Sequence, residues 1–216
     1  MEKIFFAFFV LTSIIQLYAC YTENKKWRSI NKPFILANLL VFYLLSVSVP
    51  NYLILAAVVC SLAGDILLIF KKAFYVGGIL FLAAHICFVV AFSQNINPEA
   101  IGVLTIILMA LAYLTIVALE SMVFRKGHSA LTAIVSTVYL LVLGVMNCVA
   151  LLQCLSLMTS ASLMVFIGSS CFFVSDSILC LREFRKDINV PKKYFWVMLT
   201  YVFAEGLIVC GMIGIG

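Results

Sequence analysis

Four ionisable residues, Asp65, His85, Asp176 and Glu205, lie inside long apolar runs. A charge near the middle of a bilayer costs roughly 2.5–3.5 kcal/mol or more, so each is a candidate for function. The two aspartates have matching contexts. Asp65 sits in Leu62-Ala63-Gly64-Asp65-Ile66-Leu67-Leu68, six residues before Lys71, and Asp176 in Phe173-Val174-Ser175-Asp176-Ser177-Ile178-Leu179, six before Arg182. Two carboxylates at one depth can face a shared, water-reached cavity, where one gives a proton while the other takes one. His85 and Glu205 each follow, by eleven residues, the aromatic residue (Phe74 or Tyr194) that opens their run. This parallelism is the pattern of a duplication of helices one to four onto five to eight.

The elements that must hold these residues follow from composition. Of 216 residues, 65% are hydrophobic and 11% charged, against roughly 45–50% and about 25% in a soluble domain. So short a chain has too little interior to bury that much apolar surface, and lipid is the remaining solvent. A spanning helix needs roughly 20 apolar residues. The apolar runs, near 4–21, 33–49, 52–70, 73–93, 99–119, 129–151, 159–181 and 194–214, therefore predict an all-α integral membrane protein of about eight transmembrane helices, with 1–216 as one domain. The aspartates are expected about 9 Å inside their helix ends, and His85 and Glu205 roughly 16 Å in.

Thirteen of the fourteen Lys and Arg residues fall in or beside the first, third, fifth and seventh loops, Lys3 being the exception. Cytoplasmic loops carry such an excess, so these loops are expected in the cytoplasm and both termini on the other side. That placement accounts for the net charge of +5 without a nucleic-acid partner. Residues 1–20 imitate a signal peptide or lipoprotein box, but Tyr18 suits the box poorly and basic residues follow at 25–32, so the first run is expected to remain as a span. The eight cysteines lie in or at the ends of apolar runs without CxxC spacing and are expected to be packing residues.

Further polar groups line expected interior faces. Thr132, Ser136, Tyr139 and Asn147 recur along one side of the sixth helix, and Asn38 and Tyr113 are single candidates in the second and fifth. Hydrogen bonds between helices account for such residues as well as substrate binding does. Gly77-Gly78, Gly168 and Ser169-Ser170 are expected at close helix contacts. With His128 in a loop, the two histidines cannot build a His-rich zinc site. Gly168-Ser169-Ser170 lacks a nucleophile motif, and Ala63-Gly64-Asp65 lacks the first glycine of the intramembrane aspartyl proteases.

The motifs resemble the YhhN family of membrane proteins, whose animal members are lysoplasmalogenases. The matching stretches are Asn31-Lys32-Pro33, Ser61 to Leu68 with its Gly64-Asp65, Gly77 to His85, Tyr139 with Met146, Phe172 to Asp176, and Tyr201 to Ile208. The resemblance implies hydrolysis of the vinyl ether bond of a lysoplasmalogen, giving a fatty aldehyde and a glycerophospho-base; no cofactor is expected, and a metal held by carboxylates alone has no support in the residues. It departs at Glu205, near whose position a glutamine is common. Asp65 and Asp176 are the expected acid and base in either order, with Lys32, Asn38, His85, Tyr113, Tyr139 and Glu205 expected to bind substrate, Lys32 at its phosphate or at an aspartate. The expected partner is a lysophospholipid entering sideways from a cell or endoplasmic reticulum membrane. A small proton-coupled carrier and a non-catalytic lipid-binding protein are the alternatives from other classes.

Overall fold

Each apolar run becomes a helix, because in lipid a helix satisfies every backbone polar group within one segment. The computed structural model describes residues 1–97, 99, 101–125, 130–184 and 191–216, with the backbone alone for Lys71, 123–125, 130–133 and Phe184. Among these residues there are eight α-helices and no strand: α1 Glu2–Tyr21, α2 Lys25–Ser46, α3 Tyr52–Leu67, α4 Phe74–Ser93, α5 Val103–Arg125, α6 Ala130–Leu157, α7 Ser160–Phe184 and α8 Lys193–Ile215. Seven are long and apolar enough to cross a membrane, which makes this a multi-pass membrane bundle.

The eighth, α3, departs from expectation. It has 16 residues, about 24 Å against a hydrocarbon core of about 30 Å. Its apolar run continues to Phe70, but the helix stops at Leu67 and a 3-10 turn, Lys71–Ala73, follows. Asp65 therefore stands in the last turn of its helix, not about 9 Å within it. Asp176 keeps eight residues of helix beyond it.

A second correction concerns residues 25–32, expected as a loop. They form the first two turns of α2, with Pro33 inside the helix. The Asn24 side chain caps this start by accepting from Trp27 N. Asn31 Nδ2 donates to Thr12 O at 2.7 Å and ties the added turns to α1. Arg28 and Lys32, four residues apart, so come to one helix face. The 152–158 link is also mostly helix, since α6 runs to Leu157.

The most extensive helix pair is α7 with α8. A Cβ on Gly168 would stand 2.9 Å from Ala204 O, and one on Gly211 2.6 Å from Ala161 O, so this seam needs its glycines. Gly77 packs against Gly64 O, but a Cβ on Gly78 would meet nothing within 4 Å, contrary to the expected close contact. Buried Phe88, Phe92, Phe172, Leu143, Met146 and Ile208 form the core between α4, α6, α7 and α8. Within it His85, Phe81, Phe172 and Tyr201 meet edge to face. Most of α5 is exposed on the outside of the bundle, toward lipid. All eight cysteines are unpaired.

Candidate functional site

The two buried aspartates are held by different chemistry. Lys32 Nζ lies 2.9 Å from Asp65 Oδ1, and the Tyr201 hydroxyl donates to Asp65 Oδ2 at 2.9 Å. An ammonium and a phenol thus engage both oxygens of one carboxylate. Asp176 has no such cation among the described residues. The Tyr139 hydroxyl donates to its Oδ2, and His85 Nε2 stands 3.1 Å from the same oxygen and 3.2 Å from the Tyr139 oxygen. His85 is fully buried, and its Nδ1 has no hydrogen-bond partner among the described residues. Whether Nε2 donates or accepts depends on where one proton resides, so carboxyl, phenol and imidazole form a proton-sharing group.

The helices supply these partners across the two halves of the chain. Asp65 on α3 is met by Tyr201 on α8, whereas Asp176 on α7 is met by His85 on α4. Lys32 on α2 and Tyr139 on α6 add, to Asp65 and Asp176 respectively, a second partner from the aspartate's own half.

Both aspartates line one cavity of about 460 Å³, walled by α1, α2, α3, α4, α7 and α8. It lies toward the end of the bundle where the first, third and seventh loops gather, since Cys20, Arg28, Ile69, Phe74, Arg182 and Tyr194 line it. The early stop of α3 puts Leu68 and Ile69 in its wall. A second, apolar cavity of about 310 Å³ lies between α4 and α6, lined by Gly78, Ile79, Val135, Tyr139 and others. Leu68, Phe74, Phe81 and Leu179 line both cavities, so a single wall separates or joins them. Tyr75, Ile79 and Val135 on its rim are exposed on the lipid-facing side. The arrangement offers a chamber with polar lining and two carboxylates and, beside it, an apolar slot.

Of the expected site residues, Asp65, Asp176 and Lys32 line the polar cavity, His85 touches Asp176, and Tyr139 links Asp176 to the apolar slot. The other three lie elsewhere. Asn38 Nδ2 donates to Phe34 O within its own helix. Tyr113 donates to Asn147 Oδ1, and Asn147 Nδ2 donates to Ser169 and Ser170, which is a bond network between α5, α6 and α7. Glu205 is fully buried but lines neither cavity, and neither of its oxygens has a hydrogen-bond partner among the described residues. Ser136 lines the apolar slot; the Thr132 side chain and His128 lie outside the described residues. Among those described, no three His, Cys, Asp or Glu side chains gather as metal ligands.

Tyr201, Arg28, Arg182 and Tyr194 also belong to the site. They were not among the expected site residues, and of the four only Arg28, one turn before Lys32, carries a spacing that could have marked it. Glu120, placed beyond the fifth apolar run, lies within α5 and accepts a hydrogen bond from Ser177, next to Asp176.

The YhhN family model matches residues 27–212, most of the chain, and the protein belongs to the YhhN family. No curated protein and no solved structure matches the chain.

Proposed function

We propose that this member of the YhhN family is a lysoplasmalogenase-type ether hydrolase, cleaving the vinyl ether bond of a single-chain alkenyl glycerophospholipid within the membrane. Family membership supports a lysoplasmalogenase-like membrane protein. The observation that carries the finer proposal is the pair of differently held carboxylates in a polar cavity that abuts an apolar, lipid-facing slot.

A vinyl ether is hydrolysed by protonating its β-carbon. Asp176 fits the acid, because its partners are a phenol and an imidazole that can pass and return a proton. Asp65 fits the carboxylate, because an ammonium at 2.9 Å compensates its charge. Asp176 gives its proton to the β-carbon, and the π electrons shift to leave an oxocarbenium ion, which the anionic Asp65 stabilises. Water adds to that carbon, and Asp65 takes the proton it releases. The resulting hemiacetal loses its hydroxyl proton to Asp176 as its bond to the glycerol oxygen breaks, and Asp65 protonates the leaving oxygen. One water is consumed, a fatty aldehyde and a glycerophospho-base leave, and both aspartates return to their starting states. The slot between α4 and α6 would hold the alkenyl chain, with the ether bond where the two cavities adjoin.

Purified protein is expected to release aldehyde from alkenyl-lysophosphatidylethanolamine. Asp65→Asn and Asp176→Asn should each lose about 10³-fold in kcat, in the range of a lost general acid or base, while remaining monodisperse in detergent. Turnover retained in either variant would refute the two-carboxylate mechanism. A folded wild type that makes no aldehyde but exchanges solute or protons in liposomes would be a carrier.

A further inference from the structure

We propose that Arg28 and Arg182, both carried on the ring of Tyr194, form a phosphate subsite at the mouth of the polar cavity. This inference deepens the hydrolase proposal and rests on it for the location of the reacting bond. The Arg28 guanidinium carbon lies 3.9 Å from the Tyr194 ring centroid and that of Arg182 lies 4.9 Å from it. All three residues line the cavity. One aromatic ring, fixed near the start of α8, therefore orients two guanidinium groups toward the same polar space. Planar, multi-donor guanidinium groups are well suited to phosphate oxygens, and stacking on a ring holds them ready for it.

The charges lining the cavity indicate which cations are available. Lys32 is committed to Asp65 at 2.9 Å. Arg182 Nη2 lies 2.7 Å from Glu183 Oε1, and its Nε donates to the same oxygen at 2.8 Å. Both contacts go to one oxygen of a carboxylate about a third exposed, so the remaining donors of Arg182 can take a second anion. Arg28 makes no ion pair among the described residues and is placed by its ring contact. The phosphate-binding role expected for Lys32 thus passes to its neighbour one turn away.

Spacing supports the same assignment. Arg28 precedes Lys32, the partner of Asp65, by one turn of α2, and Arg182 follows Asp176 by six residues of α7. Along the helix axes these offsets are about 6 Å and about 9 Å. A glycerol backbone spans a comparable distance between its ether oxygen and its phosphate. A phosphate on Arg28 and Arg182 therefore leaves the vinyl ether at the depth of the aspartates and the chain directed to the apolar slot. The mouth lies at the end of the bundle with the basic loops, so the substrate would be drawn from the cytoplasmic leaflet and the glycerophospho-base released to the cytoplasm.

The test is equilibrium binding to the full chain in neutral detergent, using ligands that cannot be cleaved. The probes are hexadecyl-lysophosphatidylethanolamine with a saturated ether, hexadecylglycerol without phosphate, and water-soluble glycerophosphoethanolamine and inorganic phosphate. The wild type is expected to bind the phospholipid at least 30-fold more tightly than hexadecylglycerol. Arg28→Gln with Arg182→Gln should remove that difference and leave hexadecylglycerol binding unchanged, and Arg28→Lys with Arg182→Lys should restore part of it. Unchanged hexadecylglycerol binding and a monodisperse elution profile separate the lost subsite from misfolding. A wild type that does not distinguish the two lipids, or a double glutamine variant that still does, would overturn the subsite. Glycerophosphoethanolamine or phosphate binding as tightly as the phospholipid would assign the arginines to a soluble anion and overturn the head-group assignment. Because no ligand is cleaved, phosphate discrimination in a protein that releases no aldehyde would refute the hydrolase proposal alone.

Discussion

Asp65 and Asp176 arise from nearly the same local sequence, yet their surroundings differ in kind. Asp65, at the end of a short helix, is clasped by Lys32 and Tyr201 on its two oxygens. Asp176, well within a long helix, directs one oxygen to Tyr139 and His85, with no cation in the group unless the imidazole carries the proton. The first arrangement stabilises a charge in place, and the second lets a proton move among three groups. Matching motifs in the two halves of the chain have thus acquired different chemistry from their neighbours, one of which in each case comes from the opposite half. A symmetric pair of carboxylates would have no fixed acid, whereas the proposed mechanism assigns its two roles from this difference in hydrogen bonds.

The strongest way to break the comparison, after the aspartates themselves, is to remove the cation. Lys32→Met leaves Asp65, 1% exposed, without its counter-charge, and should lower stability by about 3 kcal/mol, at the lower end for a broken buried pair because Lys32 is partly exposed. Thermal unfolding in detergent measures this. Adding Asp65→Asn to Lys32→Met should recover most of the stability and none of the activity. If Lys32→Met alone is as stable as wild type, Asp65 is not the charged partner that the geometry describes.

A finer test sets the two phenols against each other. Tyr139→Phe removes one of the two groups that share a proton with Asp176 and should lower kcat about 30-fold, roughly 2 kcal/mol of barrier. Tyr201→Phe removes a bond to the charged Asp65 but leaves its Lys32 counter-ion in place, and should cost only about threefold because the ammonium still compensates that charge. Steady-state aldehyde release reads both. The reverse order would exchange the roles of acid and carboxylate.

Much of this was legible in the residues themselves. Asp65, Asp176 and His85 stand out because ionisable groups are rare in apolar runs, and a hydropathy pattern locates the helices that carry them. What the pattern misses has specific causes. Ile69 and Phe70 continue the apolar run of α3 after its backbone has left the helix, so the depth of Asp65 could not be read from hydropathy. Charged residues and Pro33 make the start of α2 look like a loop, although an Asn24 cap and the Asn31 tie to α1 make it helix, and Arg28 is placed by that difference. Tyr201 and Tyr194 are two of nine tyrosines, and nothing local separates a tyrosine that holds a carboxylate from one that packs. Asn38 and Tyr113 show the converse, polar residues in spans whose bonds are made within or between helices.

The apolar slot allows a test that leaves both carboxylates untouched. A side chain on Gly78 enters open space, since a Cβ there meets nothing within 4 Å, and the residue lines the slot. Gly78→Phe should therefore fold as wild type does and raise KM about tenfold for a long alkenyl chain. A chain too short to reach Gly78 should be turned over normally. A uniform loss for all chain lengths would place the substrate elsewhere.

The smallest effect is expected at Glu205, the third buried carboxyl group near the centre of the bundle. It shares its position in α8 with that of His85 in α4, counted from Tyr194 and Phe74, and the comparison of the two halves would make it a counterpart of His85. The contacts argue otherwise. His85 reaches Asp176, whereas neither oxygen of Glu205 meets a partner among the described residues and the side chain lines neither cavity. An amide nearly conserves the shape of the side chain and leaves both cavities untouched, so Glu205→Gln should keep kcat and KM within about twofold and cost about 1 kcal/mol in unfolding, the lower end for newly buried donors. A large fall in kcat with KM unchanged would instead make Glu205 a proton source for Asp65 through Tyr201, one turn away on the same helix, and the proton-sharing group would then exist on both sides of the cavity.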